Sequence, residues 1–190
     1  TMGRKCGYLA LMSALSTGAE QVYLYEDGIT LAQLAADSAH MIQAFKNGRE
    51  LYLVVKNEGA STNYTADLMR RVFEEEGGDM FDVRTAVLGH MQQGGNPSPF
   101  DRVLSVRMMS AAIDALDSEL TNGKARYQYV GQSSGKIETF PVSHMDELID
   151  MEDRLQFEPW WLGLKDVLYV VADKEFKKNV GRLTAVTKAY

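Results

Sequence analysis

A histidine, two glutamines and a pair of glycines lie close together in the stretch LGHMQQGGNPSPFDR, between a predicted strand and a predicted helix. His90 can bind phosphate as a neutral donor or as a cation, and Gln92 and Gln93 can both donate and accept hydrogen bonds. The Gly94-Gly95 pair allows backbone N–H groups to approach a ligand closely. These residue types predict a site for a polar, anionic ligand.

Two other segments carry residues of similar chemistry. Glu58 follows an apolar run of strand length and can accept hydrogen bonds from sugar hydroxyls. Met2-Gly3-Arg4 leads into the first predicted helix, whose N-terminus attracts anions. Forked donors for phosphate oxygens are available from three arginines, Arg4, Arg84 and Arg154. Together these residues suit a phosphorylated sugar.

Structural roles would also explain these residues one at a time. A histidine before Gly-Gly is typical of a hydrogen-bonded turn as well, and an isolated Glu or Arg near a strand end often forms a surface ion pair. The GxxxxGK[ST], GxGxxG and HExxH motifs are absent. GQSSG matches the GxSxG nucleophile elbow, but a second short strand follows it, which favours a hairpin loop. The residues alone therefore predict an anion-binding α/β domain and leave its ligand open.

Hydrophobic periodicity predicts the elements that position these residues. Helices are predicted over residues 7–15, 30–48, 65–76, 98–120, 145–155 and 161–171. Strands are predicted over residues 22–25, 51–55, 81–88, 127–130 and 137–140. This alternation indicates an α/β fold with a mostly parallel sheet flanked by helices. Ligands bind at the carboxyl ends of such strands, where Glu58 and His90 are predicted to lie.

The composition argues against several classes of protein. The 190 residues, 45% of them hydrophobic, can bury the core of one or two lobes. A net charge of -6 argues against a nucleic-acid or membrane-surface binder. The single cysteine, Cys6, permits no intrachain disulfide and suits a reducing compartment such as the cytoplasm. No apolar run approaches the roughly 20 residues that span a bilayer, and the abrupt start of the first helix is typical of a chain cut from something longer.

Four segments, in order along the chain, carry one family pattern. They are TMGRKCGYLALMSAL at 1–15, VVKNEGASTNYT at 54–65, VRTAVLGHMQQGGNPSPFDR at 83–102 and DRLQFEPWWLGL at 153–164. Together they resemble the C-terminal portion of eukaryotic ATP-dependent 6-phosphofructokinases, and LGHxQxGGxPxxxDR is highly specific to that family. The resemblance implies a phosphofructokinase-like fold, and a partial fragment of a glycolytic kinase that converts ATP and fructose 6-phosphate to ADP and fructose 1,6-bisphosphate.

The resemblance also implies two similar halves, of which the N-terminal one is catalytic. The C-terminal half binds the activator fructose 2,6-bisphosphate in a descendant of the sugar site. Gln93 stands where catalytic halves carry arginine (HxQRGG), which favours the regulatory half. Arg4 instead favours the catalytic half, because animal C-terminal halves have the sequence MGG at residues 2–4. Two alternatives stay open: a catalytic half that binds fructose 6-phosphate, and a structural module that only holds an oligomer together.

By position, the resemblance assigns sugar-phosphate or effector contacts to Met2, Gly3, Arg4, Glu58, Arg84, His90, Met91, Gln92, Gln93 and Arg154. Arg84 would reach the site of a neighbouring subunit, so a complete site would require a homo- or hetero-oligomer. No residue is assigned a catalytic or metal-binding role. ATP and Mg²⁺ would serve the parent enzyme, and the fragment alone is expected to be inactive.

The resemblance finally divides the chain into lobes. Residues 1–91 and 145–171 would form the sugar-phosphate lobe, residues 92–144 a remnant of the nucleotide lobe, and residues 172–190 a tail. The remnant is expected to expose apolar surface unless a partner, such as the remainder of a phosphofructokinase chain, covers it.

Overall fold

A computed structural model describes residues 1–123, 125–152 and 154–172. Contacts divide the chain into two compact units. The first contains Thr1–Gln92 and the described residues from Pro159 on, and the second contains Gln93–Glu158. Residues 145–158 group with the second unit by their contacts, whereas the whole segment 145–171 was predicted to belong to the sugar-phosphate lobe. Apart from Ala172, the predicted tail lies outside the described residues.

The first unit contains a parallel strand pair between helices. Its elements in chain order are α1 (Tyr8–Thr17), β1 (Gln21–Tyr23), α2 (Leu31–Lys46), β2 (Val54–Lys56), α3 (Ala66–Gly77) and α6 (Leu164–Val171). β1 and β2 pair in parallel, with Val22 opposite Val55. A 3-10 helix, Trp160–Gly163, leads into α6.

Alternate residues of β1 and its extension face two separate hydrophobic clusters. Val22 and Leu24 pack with residues of α1 and α6 on one face. Tyr23 packs with residues of α2 and α3 on the other. Trp161 is buried in the first cluster, with its ring edge-on to Tyr8 at 5.7 Å between centroids. Helices thus cover both faces of the strand pair, as parallel strands require.

The second unit contains a long helix and two antiparallel strand pairs. Its elements are α4 (Pro99–Asn122), β3 (Gln128–Ser133), β4 (Lys136–Pro141), α5 (Met145–Leu148), β5 (Ile149–Asp150) and β6 (Leu155–Gln156). β3 and β4 form a hairpin through Ser134 and Gly135, whose φ angles of 49° and 78° are those of a tight hairpin turn. The prediction that GQSSG lies in a hairpin rather than a nucleophile elbow is confirmed.

One side of α4 packs against the β3–β4 hairpin, and much of the rest is exposed. Leu104, Met108 and Ala111 are half-buried. An exposed apolar stripe follows the helical repeat through Phe100, Val103, Val106, Met109, Ile113, Leu116 and Leu120. The stripe fits the expectation that this part of the chain exposes apolar surface.

The predicted helix boundaries are confirmed where local capping sets them. Gly18 ends α1 in the left-handed conformation. Thr30, Thr65 and Ser98 each precede a helix and accept a hydrogen bond from a first-turn backbone N–H. Ser98 and Asp101 form a reciprocal capping box. The predicted strand at 51–55 is shorter, because regular pairing begins only at Val54.

Two predicted elements are wrong. Residues 81–88 form no strand, because none of the strands in the described ranges pairs with them, and Val87 is 85% exposed. The predicted helix at 145–155 ends at Leu148, because the β5–β6 pairing takes over its backbone. Within that hairpin, Arg154 has a left-handed φ of 59° and donates its N–H to Asp150 O.

The α/β class agrees with the prediction, but parallel pairing is confined to β1 and β2 among the described strands. No helix in the described ranges combines the length and the apolar character needed to cross a membrane.

Candidate functional site

Two loops of the first unit meet beyond the carboxyl end of β2. Loop A (residues 1–7) precedes α1, and loop B (residues 57–61) follows β2. The Glu58 N–H donates to Thr1 O at 2.8 Å, and the Gly3 N–H donates to Glu58 Oε1 at 3.1 Å. The Met2 N–H donates to Gln92 Oε1. These hydrogen bonds unite four of the predicted site residues, Met2, Gly3, Glu58 and Gln92.

Asn57 is the buried residue that links the two loops. Its side chain has no exposed surface, and its Nδ2 donates to Cys6 O at 3.1 Å and to Met2 O at 3.4 Å. Its Oδ1 accepts from the Gly59 N–H at 2.9 Å, which shapes loop B into a tight turn. Its own N–H donates to Tyr23 O at 2.9 Å. One amide therefore fastens both loops to the end of the strand pair.

Glycine is required at two points where the loops touch. Gly3 has a φ of 127°, and a Cβ there would lie 2.3 Å from Cys6 O and 2.7 Å from Asn57 Nδ2. A Cβ on Gly59 would lie 2.0 Å from Arg4 O. The backbones of the two loops thus approach each other more closely than any other residue would allow.

The strand-end lysine lies beside the cluster and is half-buried. Lys56 Nζ donates to Asn57 O at 3.1 Å and to Ser61 O at 3.4 Å. Burial lowers the pKa of Lys56, and the nearby Glu58 carboxylate partly opposes this effect. Lys56 therefore stabilises loop B through hydrogen bonds to two of its backbone carbonyls.

The start of α1 is occupied by a carboxylate of the chain itself. The Gly7 N–H donates to Glu26 Oε1 at 2.9 Å and to Oε2 at 3.1 Å. A Cβ on Gly7 would lie 2.6 Å from Glu26 Oε2, so the carboxylate sits directly over this end of the helix. A carboxylate at a helix N-terminus is favourable because it meets the unpaired N–H groups and the positive end of the helix dipole. This helix end was predicted to attract an anionic ligand, but Glu26 already accepts the hydrogen bond from the Gly7 N–H.

The other predicted site residues are not joined to the cluster. Arg4, Arg84, His90 and Met91 are exposed, and within the described ranges no hydrogen bond connects their side chains to Met2, Gly3, Glu58 or Gln92. Gln93 and Arg154 belong to the second unit, and both are exposed. The first unit thus assembles the carboxylate and amide part of the predicted site, and the arginines predicted to contact phosphate in this unit, Arg4 and Arg84, are exposed.

The chemistry of the cluster suits hydroxyl groups better than a metal ion. Its polar side chains include the Glu58 carboxylate and the Gln92 amide, and groups of these types can accept from and donate to hydroxyl groups. In the part of the chain that the structure describes, no group of three or more His, Cys, Asp or Glu residues comes together as a metal site would need. Glu58 is the only carboxylate among Met2, Gly3, Glu58 and Gln92, so these four residues do not by themselves form a Mg²⁺ site.

Sequence reasoning missed Asn57 and Glu26. Asn57 had a readable signal, because an asparagine directly after an apolar strand and two residues before a glycine is typical of an Asx turn. Glu26 had none, because its partner Gly7 lies 19 positions away and the contact depends on tertiary packing.

Parallel strands covered by helices, with polar loops meeting at their carboxyl end, are typical of α/β ligand-binding proteins. Comparison with known proteins narrows this class. Residues 1–116 match the family model "Phosphofructokinase". The chain is 36% identical over 185 residues to the human muscle-type ATP-dependent 6-phosphofructokinase, covering 92% of this chain and 24% of that protein. It is 37% identical over 183 residues to ATP-dependent 6-phosphofructokinase 1 of Caenorhabditis elegans, covering 90% of this chain and 22% of that protein.

Solved structures show the same likeness. The phosphofructokinase of Saccharomyces cerevisiae superposes with a TM-score of 0.83 at 28% identity, over 93% of this chain and 24% of that chain. The T-state phosphofructokinase of Pichia pastoris gives a TM-score of 0.78 at 26% identity, over 92% of this chain and 22% of that chain. The chain belongs to the phosphofructokinase family. It spans about a quarter of the length of the curated relatives it matches.

Proposed function

We propose that this chain is part of a 6-phosphofructokinase and that loops A and B bind a sugar phosphate, with fructose 2,6-bisphosphate as an allosteric effector. The observation that carries the proposal is the placement of Glu58. Its carboxylate lies at the carboxyl end of the parallel strand pair and accepts from the Gly3 N–H, while the N–H of the adjacent Met2 donates to Gln92 Oε1. A carboxylate and amides in that position can hold the hydroxyls of a furanose ring.

Gln93 supports the regulatory role over the catalytic one. Catalytic halves of the family place an arginine there, which would add a charge-assisted hydrogen bond to a phosphate. The resemblance assigns phosphate contacts to Arg154 and, from a neighbouring subunit, to Arg84. These assignments, like those of His90 and Met91, stay predictions from the sequence.

The role proposed for the whole protein follows from its relatives. It would transfer phosphate from ATP to fructose 6-phosphate in glycolysis, in the cytoplasm and as an oligomer. ATP and Mg²⁺ would bind to parts of the protein other than these loops, so the chain by itself would not turn over substrate. Binding of the effector at the loops would favour the active state, which is a coupling between distinct sites.

Arg4 favours a second candidate, in which the same loops bind fructose 6-phosphate as substrate. Its exposed side chain lies on loop A, next to the Gly3 amide that Glu58 holds. A guanidinium there suits a single phosphate group. The two candidates share the sugar contacts and differ in which phosphates are recognised.

Thermal unfolding with separate additions of fructose 2,6-bisphosphate, fructose 6-phosphate and ATP tests the proposal. A ligand at 100 times its dissociation constant that binds only the folded state raises the unfolding free energy by about 2.7 kcal/mol. We expect the largest shift with the bisphosphate and none with ATP. A larger shift with fructose 6-phosphate would favour the second candidate. The absence of any shift would contradict binding by this chain and favour a purely structural module.

A matched pair of variants locates the site. Glu58→Gln keeps the shape of the side chain and an oxygen for the Gly3 N–H. It removes the negative charge and replaces the second acceptor oxygen with an NH2 group. Glu75→Gln makes the same change on an exposed position of α3. We expect the ligand-induced shift to shrink with Glu58→Gln and to persist with Glu75→Gln. Equal shifts in both variants would place the ligand elsewhere.

A further inference from the structure

We propose that Asn57 is the positioning residue of the sugar-phosphate site, and that its amide makes loops A and B open and close as one unit. The ligand-binding part of this inference rests on the proposed function. The coupling of the loops does not, because it concerns hydrogen bonds within the chain.

The geometry of Asn57 gives it this role. Donors from its Nδ2 reach both ends of the loop A segment between Met2 and Cys6, at 3.4 and 3.1 Å. Its Oδ1 accepts from Gly59 in loop B at 2.9 Å. The side chain is fully buried, so water cannot replace a lost partner without opening the loops.

These hydrogen bonds fix the distance between the two loops that form the site. Loop A carries Met2 and Gly3, whose N–H groups donate to Gln92 Oε1 and Glu58 Oε1, and loop B carries Glu58. Of the direct hydrogen bonds that join them, the one from the Gly3 N–H to Glu58 Oε1 lies at the exposed rim, and the one from the Glu58 N–H to Thr1 O joins an exposed residue to a half-buried one. Hydrogen bonds at the rim compete with water, whereas those of the buried Asn57 amide do not. We therefore infer that Asn57 determines the relative position of loops A and B.

Asn57→Asp separates the two functions of the side chain. It keeps the oxygen that accepts from Gly59, but at neutral pH it turns a carboxylate oxygen toward the carbonyls of Met2 and Cys6. We expect the Gly3 amide to exchange its hydrogen about tenfold faster or more, with the Gly59 amide less affected. Affinity for fructose 2,6-bisphosphate, measured by calorimetry on folded protein, should fall by about tenfold or more. Both effects should diminish at acidic pH, because the carboxyl group introduced by this substitution is then protonated and can donate one hydrogen bond again.

Thr65→Ala is the matched control. It removes the hydrogen bond that the side chain accepts from the Leu68 N–H at the start of α3, outside both loops. The variant should unfold at lower temperature yet keep the parent affinity and the parent exchange rate at Gly3. If it weakens ligand binding as much as Asn57→Asp does, Asn57 acts only through overall stability and the positioning role is wrong.

The unmodified chain provides a test that needs no variant. If loops A and B form one unit, the amides of Gly3, Glu58 and Gly59 exchange with one common opening free energy. Clearly different opening free energies would overturn the coupling. A chain that shows common opening but binds neither fructose phosphate would contradict the proposed function and leave the coupling supported, so the two failures are distinguishable.

Discussion

Replacing Gly59 with alanine tests the close approach of the two loops. A Cβ at this position would lie 2.0 Å from Arg4 O, 2.9 Å from Arg4 C and 3.0 Å from Tyr25 Cδ2. The nearest atoms belong to backbone, so loop A has to move as a whole. Overpacking of this kind costs about 1–3 kcal/mol of unfolding free energy. Because Gly59 needs no unusual φ, the cost comes from space and not from backbone strain.

Thermal unfolding measures the effect. In a chain of 150–250 residues, each kcal/mol lowers the melting temperature by about 2–4 °C, so a loss of 2 kcal/mol corresponds to about 4–8 °C. Gly163→Ala is the control, because it adds the same methyl group at an exposed position with a helical φ of -61° and no neighbour within 4 Å. It should be neutral or stabilise by about 0.4–1 kcal/mol. Equal melting temperatures for the two variants would refute the packing of loop A on loop B.

Three further predictions concern charge and protonation. Glu26→Gln should lower the unfolding free energy by about 0.3–1 kcal/mol, because it removes a charge from the start of α1. The difference should shrink in high salt. A difference that does not depend on salt would contradict a charge effect. Burial and Asp37 raise the pKa of Tyr23 above its ordinary value of 10.0. Above pH 10 Tyr23 therefore ionises in the unfolded chain at a lower pH than in the folded chain. The unfolding free energy should then fall by up to about 1.4 kcal/mol per pH unit. Denaturation at pH 9 to 11 should show a weaker decline for Tyr23→Phe, and an identical decline would refute this assignment. Gln93→Arg should tighten fructose 6-phosphate binding relative to fructose 2,6-bisphosphate in calorimetry, and an unchanged ratio would count against the role given to Gln93.

The candidate site shows which functional residues a sequence reveals. Glu58 and Gln92 were readable because a polar residue after an apolar strand, or beside Gly-Gly, is unusual enough to be noticed. Their hydrogen bonds to loop A could not be predicted from the sequence, because residues such as Met2 and Gln92 are 90 positions apart. Asn57 is readable from the sequence only as an Asx turn; its burial and its hydrogen bonds to loop A are properties of the folded chain.

The sequence by itself determined most of the helices, the residues that cap them and the family. A cap depends on residues within one turn of each other, as Ser98 and Asp101 do, so local chemistry is sufficient to place it. Tertiary structure decided the rest. Residues 81–88 have the composition of a strand but no partner in the described part of the chain, and a strand is stable only when its backbone groups are paired. Loops A and B likewise form one cluster only in the folded chain, where α1, which follows loop A, packs against β1 and β2, and loop B follows β2. Pairing and burial join residues far apart in the chain, and for that reason only the folded structure shows them.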